Sequence, residues 1–252
     1  MEKSVDINSD VGERPEALLD GREEELVKHI TSANIACGVH AGDTTTMSGV
    51  IEICMKYGVG IGAHPSYPDR PNFGRVVMNL TSEEIVRCVY DQVRTLVELA
   101  GKAGCTARHV KPHGALYNVA AQNPTIAAAI ADGVRKVDKT LILLGLAGSK
   151  MLEVWQNEGF RVVGEAFVDR RYEADGTLRS RKFSDALITD LEEAVQQALR
   201  IVRDGVVITA GGTAVSLNAQ TLCIHSDTHN AISIAAAVHS RLLKEGLSVR
   251  PL

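Results

Sequence analysis

The chain has 252 residues, 45% hydrophobic and 23% charged, with a formal net charge of −4. That is the balance of a soluble globular protein, with no basic excess for nucleic acid. No apolar run approaches the ~20 residues of a membrane helix, and MEKSVDI lacks the apolar stretch of a signal peptide, so neither membrane nor secretion is expected.

Short apolar runs alternate with longer helical patterns. The runs are SVDIN (4–8), SANIAC (32–37), GIGAH (60–64), ARHVKPH (107–113), TLILLG (140–145), RVVGEAF (161–167), GVVITA (205–210) and TLCIHS (221–226). Several intervening helices have readable ends. Thr81 to Glu84 form a capping box, with Gly101 or Gly104 as stop. Pro124 suits a first helical position. Ser184 can cap a helix that Gly205 closes, and Thr228 can cap the last one, to about Leu243. Repeated β-α spacing with short connections implies parallel strands covered by helices. About eight such units in ~250 residues fit a closed β/α barrel better than an open sheet. No linker or repeat divides the chain, so residues 1–252 read as a single domain. A doubly wound sheet is the alternative, but its Gly-rich phosphate turn is replaced here by DINSDVGE. The five cysteines are scattered without CxxC spacing, which points to a reducing cytoplasm.

The strand ends are polar. Asp6, Asn8 and Asp10 alternate along the first run and so share one face. His40 and Asp43 follow SANIACG, and His64 ends GIGAH. Lys111 and His113 end ARHVKPH, Glu165 lies near the end of RVVGEAF, and His225 and Asp227 end TLCIHSD. Each has an ordinary reading alone: an exposed edge for Asp6 and Asn8, a structural histidine at His64, a helix cap at His225 and Asp227. His29, His109 and His239 read as ordinary. Recurrence changes the balance, because the C-terminal strand ends of a β/α barrel form its active-site face. Burying so many charges without function would cost several kcal/mol per unpaired group.

Residues 169–183, DRRYEADGTLRSRKF, come one residue after the sixth run and hold Arg170, Arg171, Arg179, Arg181 and Lys182. A charged loop is usually just solvated, but this length and position suit a lid or anion clamp. GLAGSK (145–150) and Gly211–Gly212 are weaker anion signals at strand–turn–helix junctions. The chain has neither a GxSxG elbow nor an HExxH helix. Asp10, His40 and His64 could converge on a metal, but spacing alone assigns no metal ligand.

The motifs DINSDVGE, NIACGVHAGD (34–43), GAHPSYPDRPNFGR (62–75), VKPHGALYN (110–118) and AFVDRRYEADGTLRSR, up to HSDTH (225–229), resemble the LamB/YcsF family over nearly the whole chain. The resemblance implies a TIM-like β/α barrel, irregular or seven-stranded, related to polysaccharide deacetylases and glycosidases. It implies the A subunit of a 5-oxoprolinase that opens 5-oxo-L-proline to L-glutamate using ATP, with Mg2+, and works with subunits B and C. On that reading Asp6, Asp10 or Asp43 positions or deprotonates water, with His40 or His64 as base. Lys111 and His113 face the developing negative charge. Arg170, Arg179 and Arg181 clamp phosphate or carboxylate, with Asn8 and His225 in the binding set, and Glu165 and Asp227 orient cations. Self-association into a homo-oligomer stays open. The rival readings are a stand-alone metal-dependent deacetylase or amidohydrolase on a small amide or amino sugar, and a non-catalytic sugar- or anion-binding protein.

Overall fold

The structure, a computed structural model, describes residues 4–252. Seven parallel strands form the barrel: β1 (Ser4–Val11), β2 (Ser32–Ala36), β3 (Gly60–His64), β4 (Ala107–Val110), β5 (Ile142–Leu146), β6 (Val162–Phe167) and β9 (Thr221–Cys223). Pairing of β9 with both β6 and β1 closes it, which excludes the open doubly wound sheet. A short strand, β10 (Ser248–Val249), adds to the start of β1 outside the closed ring.

Helices cover the outside: α3 (Thr44–Tyr57), α4 (Ser82–Lys102), α6 (Pro124–Arg135), α7 (Lys150–Asn157), α8 (Leu191–Asp204) and α9 (Ala231–Lys244). Shorter helices α1 (Pro15–Leu19), α2 (Arg22–Val27) and α5 (Gly114–Ala120) lie in the connections. The Thr81–Glu84 capping box starts α4, and Pro124 opens α6 behind Asn123, whose side chain accepts from Thr125 and Ile126 amides. None of the described helices is long and apolar enough to cross a membrane.

The main apolar core lies between strands and helices, where Ile7, Ile35, Val50, Ile51, Leu143, Trp155, Ile234 and Val238 are buried. The barrel interior holds a polar stack beside a small apolar cluster of Ile142, Leu144 and Val163. Asp6, Asn8 and Asp10 are only 2%, 0% and 5% exposed, so the shared face of DINSD points inward rather than to an exposed edge. Each is satisfied by neighbours. Asp6 accepts from Thr31, Ser32 and Thr221 hydroxyls at 2.5–2.7 Å. Asn34 donates to Asn8 Oδ1 at 2.7 Å and Asp10 Oδ1 at 2.9 Å. His109, expected to be ordinary, is fully buried in this stack and donates through Nε2 to Asn34 Oδ1 at 2.9 Å. It needs glycine beside it: a Cβ on Gly62 would come 2.1 Å from His109 Nε2.

Four local expectations differ from the structure. The run GVVITA is not a barrel strand. Val206–Ile208 (β7) pairs antiparallel with Ala214–Ser216 (β8), and TLC takes the seventh barrel position instead. Gly211–Gly212 is therefore a hairpin turn, closed by Thr209 N–H to Thr213 O at 2.8 Å, with no helix behind it. The helix expected from Ser184 starts at Leu191 behind the Asp190 cap, because residues 186–188 pair back onto the loop: Arg171 N–H reaches Ala186 O and Ile188 N–H reaches Asp169 O. The last helix follows Asn230 (φ 64°), and Thr228 donates to Asp169 Oδ2 at 2.6 Å instead of capping.

Candidate active site

The cavity at the C-terminal ends of the strands has a volume of ≈ 430 Å³ and is lined by Asp10, His64, Arg75, Lys111, His113, Tyr117, Phe167, Arg170, Arg181 and His225, among others. This is where a β/α barrel presents its loops. Lys111 leaves the end of β4 and reaches its floor. Its ammonium lies 2.8 Å from Glu165 Oε1, 3.0 Å from Asp10 Oδ1, 3.1 Å from Cys223 Sγ and 3.2 Å from Asn8 Oδ1. Three hydrogen-bond acceptors, Asn8, Asp10 and Cys223, use the three N–H donors, the thiol being the weakest of them, while Glu165 Oε1 contributes as an ion pair. Burial opposes the charge, yet Asp10, the Cys223 sulfur and Glu165 together hold the ammonium well above the ordinary lysine value. Asp10 responds in kind: burial would raise it, but His64 and Lys111 hold it well below the carboxylate range. Tyr117 donates to Glu165 Oε2 at 2.8 Å, while Oε1 is ion-paired with Lys111 without an aligned hydrogen bond.

A histidine cluster forms the adjoining wall. Glu13 Oε1 lies 3.3 Å from His40 Nε2 and 3.4 Å from His113 Nδ1, and His113 Nδ1 lies 3.0 Å from His64 Nε2. The His40 and His113 rings stack at 3.9 Å. Burial foremost pushes His40 and His113 down to about 3, and raises Glu13. Gly74 (φ 65°) lets the chain fold tightly against these rings, since a Cβ there would meet His113, His40 and Ser66 at 3.0–3.2 Å. The ligand atoms of Glu13, His40, His64 and His113 all lie within 4.8 Å of one another, close enough for one metal ion to bridge. Asp10, Cys223 and His225 meet the same spacing, but the Lys111 ammonium beside Asp10 and Cys223 already supplies a cation there.

The opposite wall comes from the loop after β6 and the end of β9. Arg170 is buried, donates through Nη2 to Arg179 O at 2.7 Å, and has no hydrogen-bond partner at Nε. Among the described residues no carboxylate forms an ion pair with it. Arg181 and Arg75 both bind Asp227, at 2.8 Å and 2.5 Å. Burial opposes ionisation of Asp227, but Arg181, His225 and Arg75 hold its carboxyl far below the ordinary range. His225 stacks on Phe167 and places Nδ1 3.1 Å from both Asp169 oxygens, one of which also accepts its backbone N–H at 3.0 Å. Because a carboxylate only accepts, Nδ1 carries the proton and Nε2 is left as a base.

Of the residues expected from sequence, Asp10, His64, Lys111, His113, Arg170, Arg181 and His225 line the cavity, Glu165 and Asn8 hold Lys111 beneath it, and His40 and Asp227 support its walls. Three fall elsewhere. Asp6 sits at the N-terminal layer of the barrel, bonded to hydroxyls and away from the cavity. Asp43 is exposed and caps α3, accepting from the Thr46 amide at 2.8 Å, as expected of Asp at a helix start. Arg179 is spent inside its own loop on Glu173 and Asp185 at 2.9 Å and 2.8 Å. Two amides at the GLAGSK helix start are already engaged, since Ser149 N–H goes to Leu146 O and Lys150 N–H to Ala121 O. Sequence reasoning misses Glu13, Arg75, Tyr117 and Asp169. Glu13 and Asp169 lie inside the motifs DINSDVGE and AFVDRR, four residues or fewer from an expected site residue.

Comparison with known proteins agrees with this architecture. The chain is 47% identical over 247 residues to the 5-oxoprolinase A subunit of Chloroflexus aggregans, covering 98% of each chain. The lactam utilization protein from Thermus thermophilus superposes with a TM-score of 0.92 at 39% identity, covering 99% of this chain and 100% of that one. The peptidoglycan deacetylase PdaC from Bacillus subtilis shares the fold alone, with a TM-score of 0.50 at 12% identity over 100% of this chain and 88% of that one. The sequence pattern of the LamB/YcsF family matches residues 5–252, and the chain belongs to that family.

Proposed function

We propose that the chain is the A subunit of an ATP-dependent 5-oxoprolinase, a hydrolase acting on the cyclic amide C–N bond of 5-oxo-L-proline. The observation that carries this reading is one cavity pairing a buried ammonium, Lys111, with a buried arginine, Arg170, that forms no ion pair with a carboxylate among the described residues. A small lactam bearing a carboxylate presents complementary groups. The near full-length identity to a 5-oxoprolinase A subunit supports the choice of substrate.

The carboxylate binds Arg170 and Arg181, as guanidinium forks suit planar anions. The lactam oxygen lies toward Lys111, displacing the weak Cys223 contact, so that the fixed positive charge meets the negative charge that develops there. His225 Nε2 takes a proton from the attacking water, held in register by Asp169. The C–N bond then breaks, and the ring nitrogen takes the proton that His225 carries. An unstrained amide needs activation for this. Phosphorylation of the lactam oxygen by ATP, with Mg2+ and with subunits B and C, would supply it: breaking the C–N bond of the hydrated, phosphorylated carbon then leaves an acyl phosphate, from which a second water releases phosphate and L-glutamate.

The test is glutamate formation from 5-oxo-L-proline by the chain co-purified with subunits B and C. Glutamate that requires ATP and every member of the complex supports the reading. Deacetylation of an amino sugar by the chain alone, without ATP, overturns it in favour of a metal-dependent deacetylase.

A further inference from the structure

The histidine cluster is wired in a way its hydrogen bonds make explicit. His64 Nδ1 lies 2.7 Å from Lys111 O, a carbonyl that can only accept, so Nδ1 carries a proton and, in the neutral ring, Nε2 does not; Asp10 Oδ2 lies 3.4 Å from that Nε2. His113 Nε2 lies 2.9 Å from Phe73 O, so here Nε2 carries the proton and Nδ1 is bare. His40 Nδ1 meets Ser66 Oγ at 2.9 Å. That hydroxyl gives its own hydrogen to Tyr67 O at 3.0 Å, so it must accept from His40, which leaves Nε2 bare. Three different outer partners thus turn three lone pairs toward one point, and Glu13 Oε1 adds a fourth.

Bare atoms approach in this way only with a metal ion or a proton between them. His64 Nε2 and His113 Nδ1 are 3.0 Å apart with no hydrogen available to either from its own neutral ring. Three of the six separations, at 3.0, 3.3 and 3.4 Å, match the edge of a coordination polyhedron built on metal–nitrogen bonds of about 2.0–2.1 Å, roughly 3.3 Å for a tetrahedron, and the others lie within 4.8 Å. Ring nitrogens donating outward to carbonyl or hydroxyl groups are the outer shell that metal-bound imidazoles use. All four residues are at least nine-tenths buried, so solvent does not screen the repulsion.

We infer that Glu13, His40, His64 and His113 form a binding site for one divalent transition-metal ion of the zinc class, through Glu13 Oε1, His40 Nε2, His64 Nε2 and His113 Nδ1. Three imidazoles and a carboxylate suit zinc, iron or cobalt and not the all-oxygen preference of magnesium or calcium. His64 and His113 also line the cavity, which puts the ion in its wall. The inference holds whichever amide the cavity takes. A proton shared between His64 and His113 is the competing way to relieve the repulsion.

The test uses the full chain, stripped with a chelator and titrated with Zn2+ or Co2+. The expected result is about one ion per chain, with a rise in melting temperature. Co2+ should give visible absorption bands, and anomalous diffraction at the zinc edge should show a peak between the four side chains. Glu13→Gln keeps shape and should weaken binding tenfold or more, His113→Ala about a hundredfold or more, and His225→Gln should leave it unchanged. Circular dichroism separates lost binding from lost folding. A wild-type chain that binds no ion, an anomalous peak elsewhere, or affinity unaffected by Glu13→Gln in folded protein would overturn the inference.

Discussion

Asp10 Oδ1 and Lys111 Nζ meet at 3.0 Å across the barrel, although 101 residues separate them in the chain. The pair closes only because β1 and β4 both end at the same cavity, and Glu165 from β6 joins it at 2.8 Å. Lys111→Ala should therefore do two things. Turnover in the assembled enzyme should fall by ~10²-fold or more, as for loss of a group that stabilises developing charge. Stability should fall by about 3–5 kcal/mol, because Asp10 and Glu165 are left buried without their cation. Steady-state kinetics and denaturant titration check the two effects separately. Near wild-type turnover would remove Lys111 from the chemistry.

Asp169 holds His225 through the ring and the backbone and holds Thr228 as well. Asp169→Asn keeps the shape but no longer fixes the Nδ1 proton. The expected result is a kcat lower by about 10²–10³-fold with KM little changed. A raised KM with unchanged kcat would show that the pair binds substrate and does no proton transfer.

The alternation in DINSD is legible because period two puts three polar residues on one face of a strand, and a closed barrel gives that face an interior. Lys111, His113 and His225 are legible for the same reason, as charges ending strands. Asp6 is not separable from Asp10 by sequence, since both face inward and only depth along the barrel distinguishes a residue bonded to Thr31, Ser32 and Thr221 from one at the cavity. Asp43 resembles a site residue because capping and catalysis use the same carboxylate. Glu13 and Asp169 are hidden because their partners are distant in sequence: Glu13 meets His113, and Asp169 meets His225, only after the barrel closes. The run GVVITA carries a strand's composition but not its pairing partner, and pairing is decided by which run reaches β1 and β6.

Gly62 tests the packing of the interior. A methyl group there would fall within the His109 ring, at 2.1 Å. Gly62→Ala should cost about 1–3 kcal/mol, as overpacking does. The second substitution His109→Ala should restore part of the loss, so the two effects should not add. Chemical denaturation of both single variants and the double variant gives the coupling. Simple additivity would place His109 away from Gly62.

Glu23 sets a pH dependence of stability. It is buried beside β1, where burial raises its carboxyl from 4.5 to about 7, partly offset by the Gly12 N–H that it accepts. Its folded value lies above its unfolded one, so the native state binds the extra proton. Stability from this group is full below about 4.5 and falls as pH rises to about 7, then stays flat. Glu23→Gln should stabilise the chain at pH 8 by up to about 3 kcal/mol and have little effect at pH 4. Denaturation at the two pH values checks this, and equal effects at both would contradict it.

The most direct measurement is a crystal structure of the chain with 5-oxo-L-proline bound. The predicted result is the ligand carboxylate on Arg170 and Arg181, with the lactam oxygen turned toward Lys111 and the ring carbon within reach of a water on His225 Nε2. A ligand seated outside this cavity, or one whose lactam oxygen points to the arginines and away from Lys111, would contradict it.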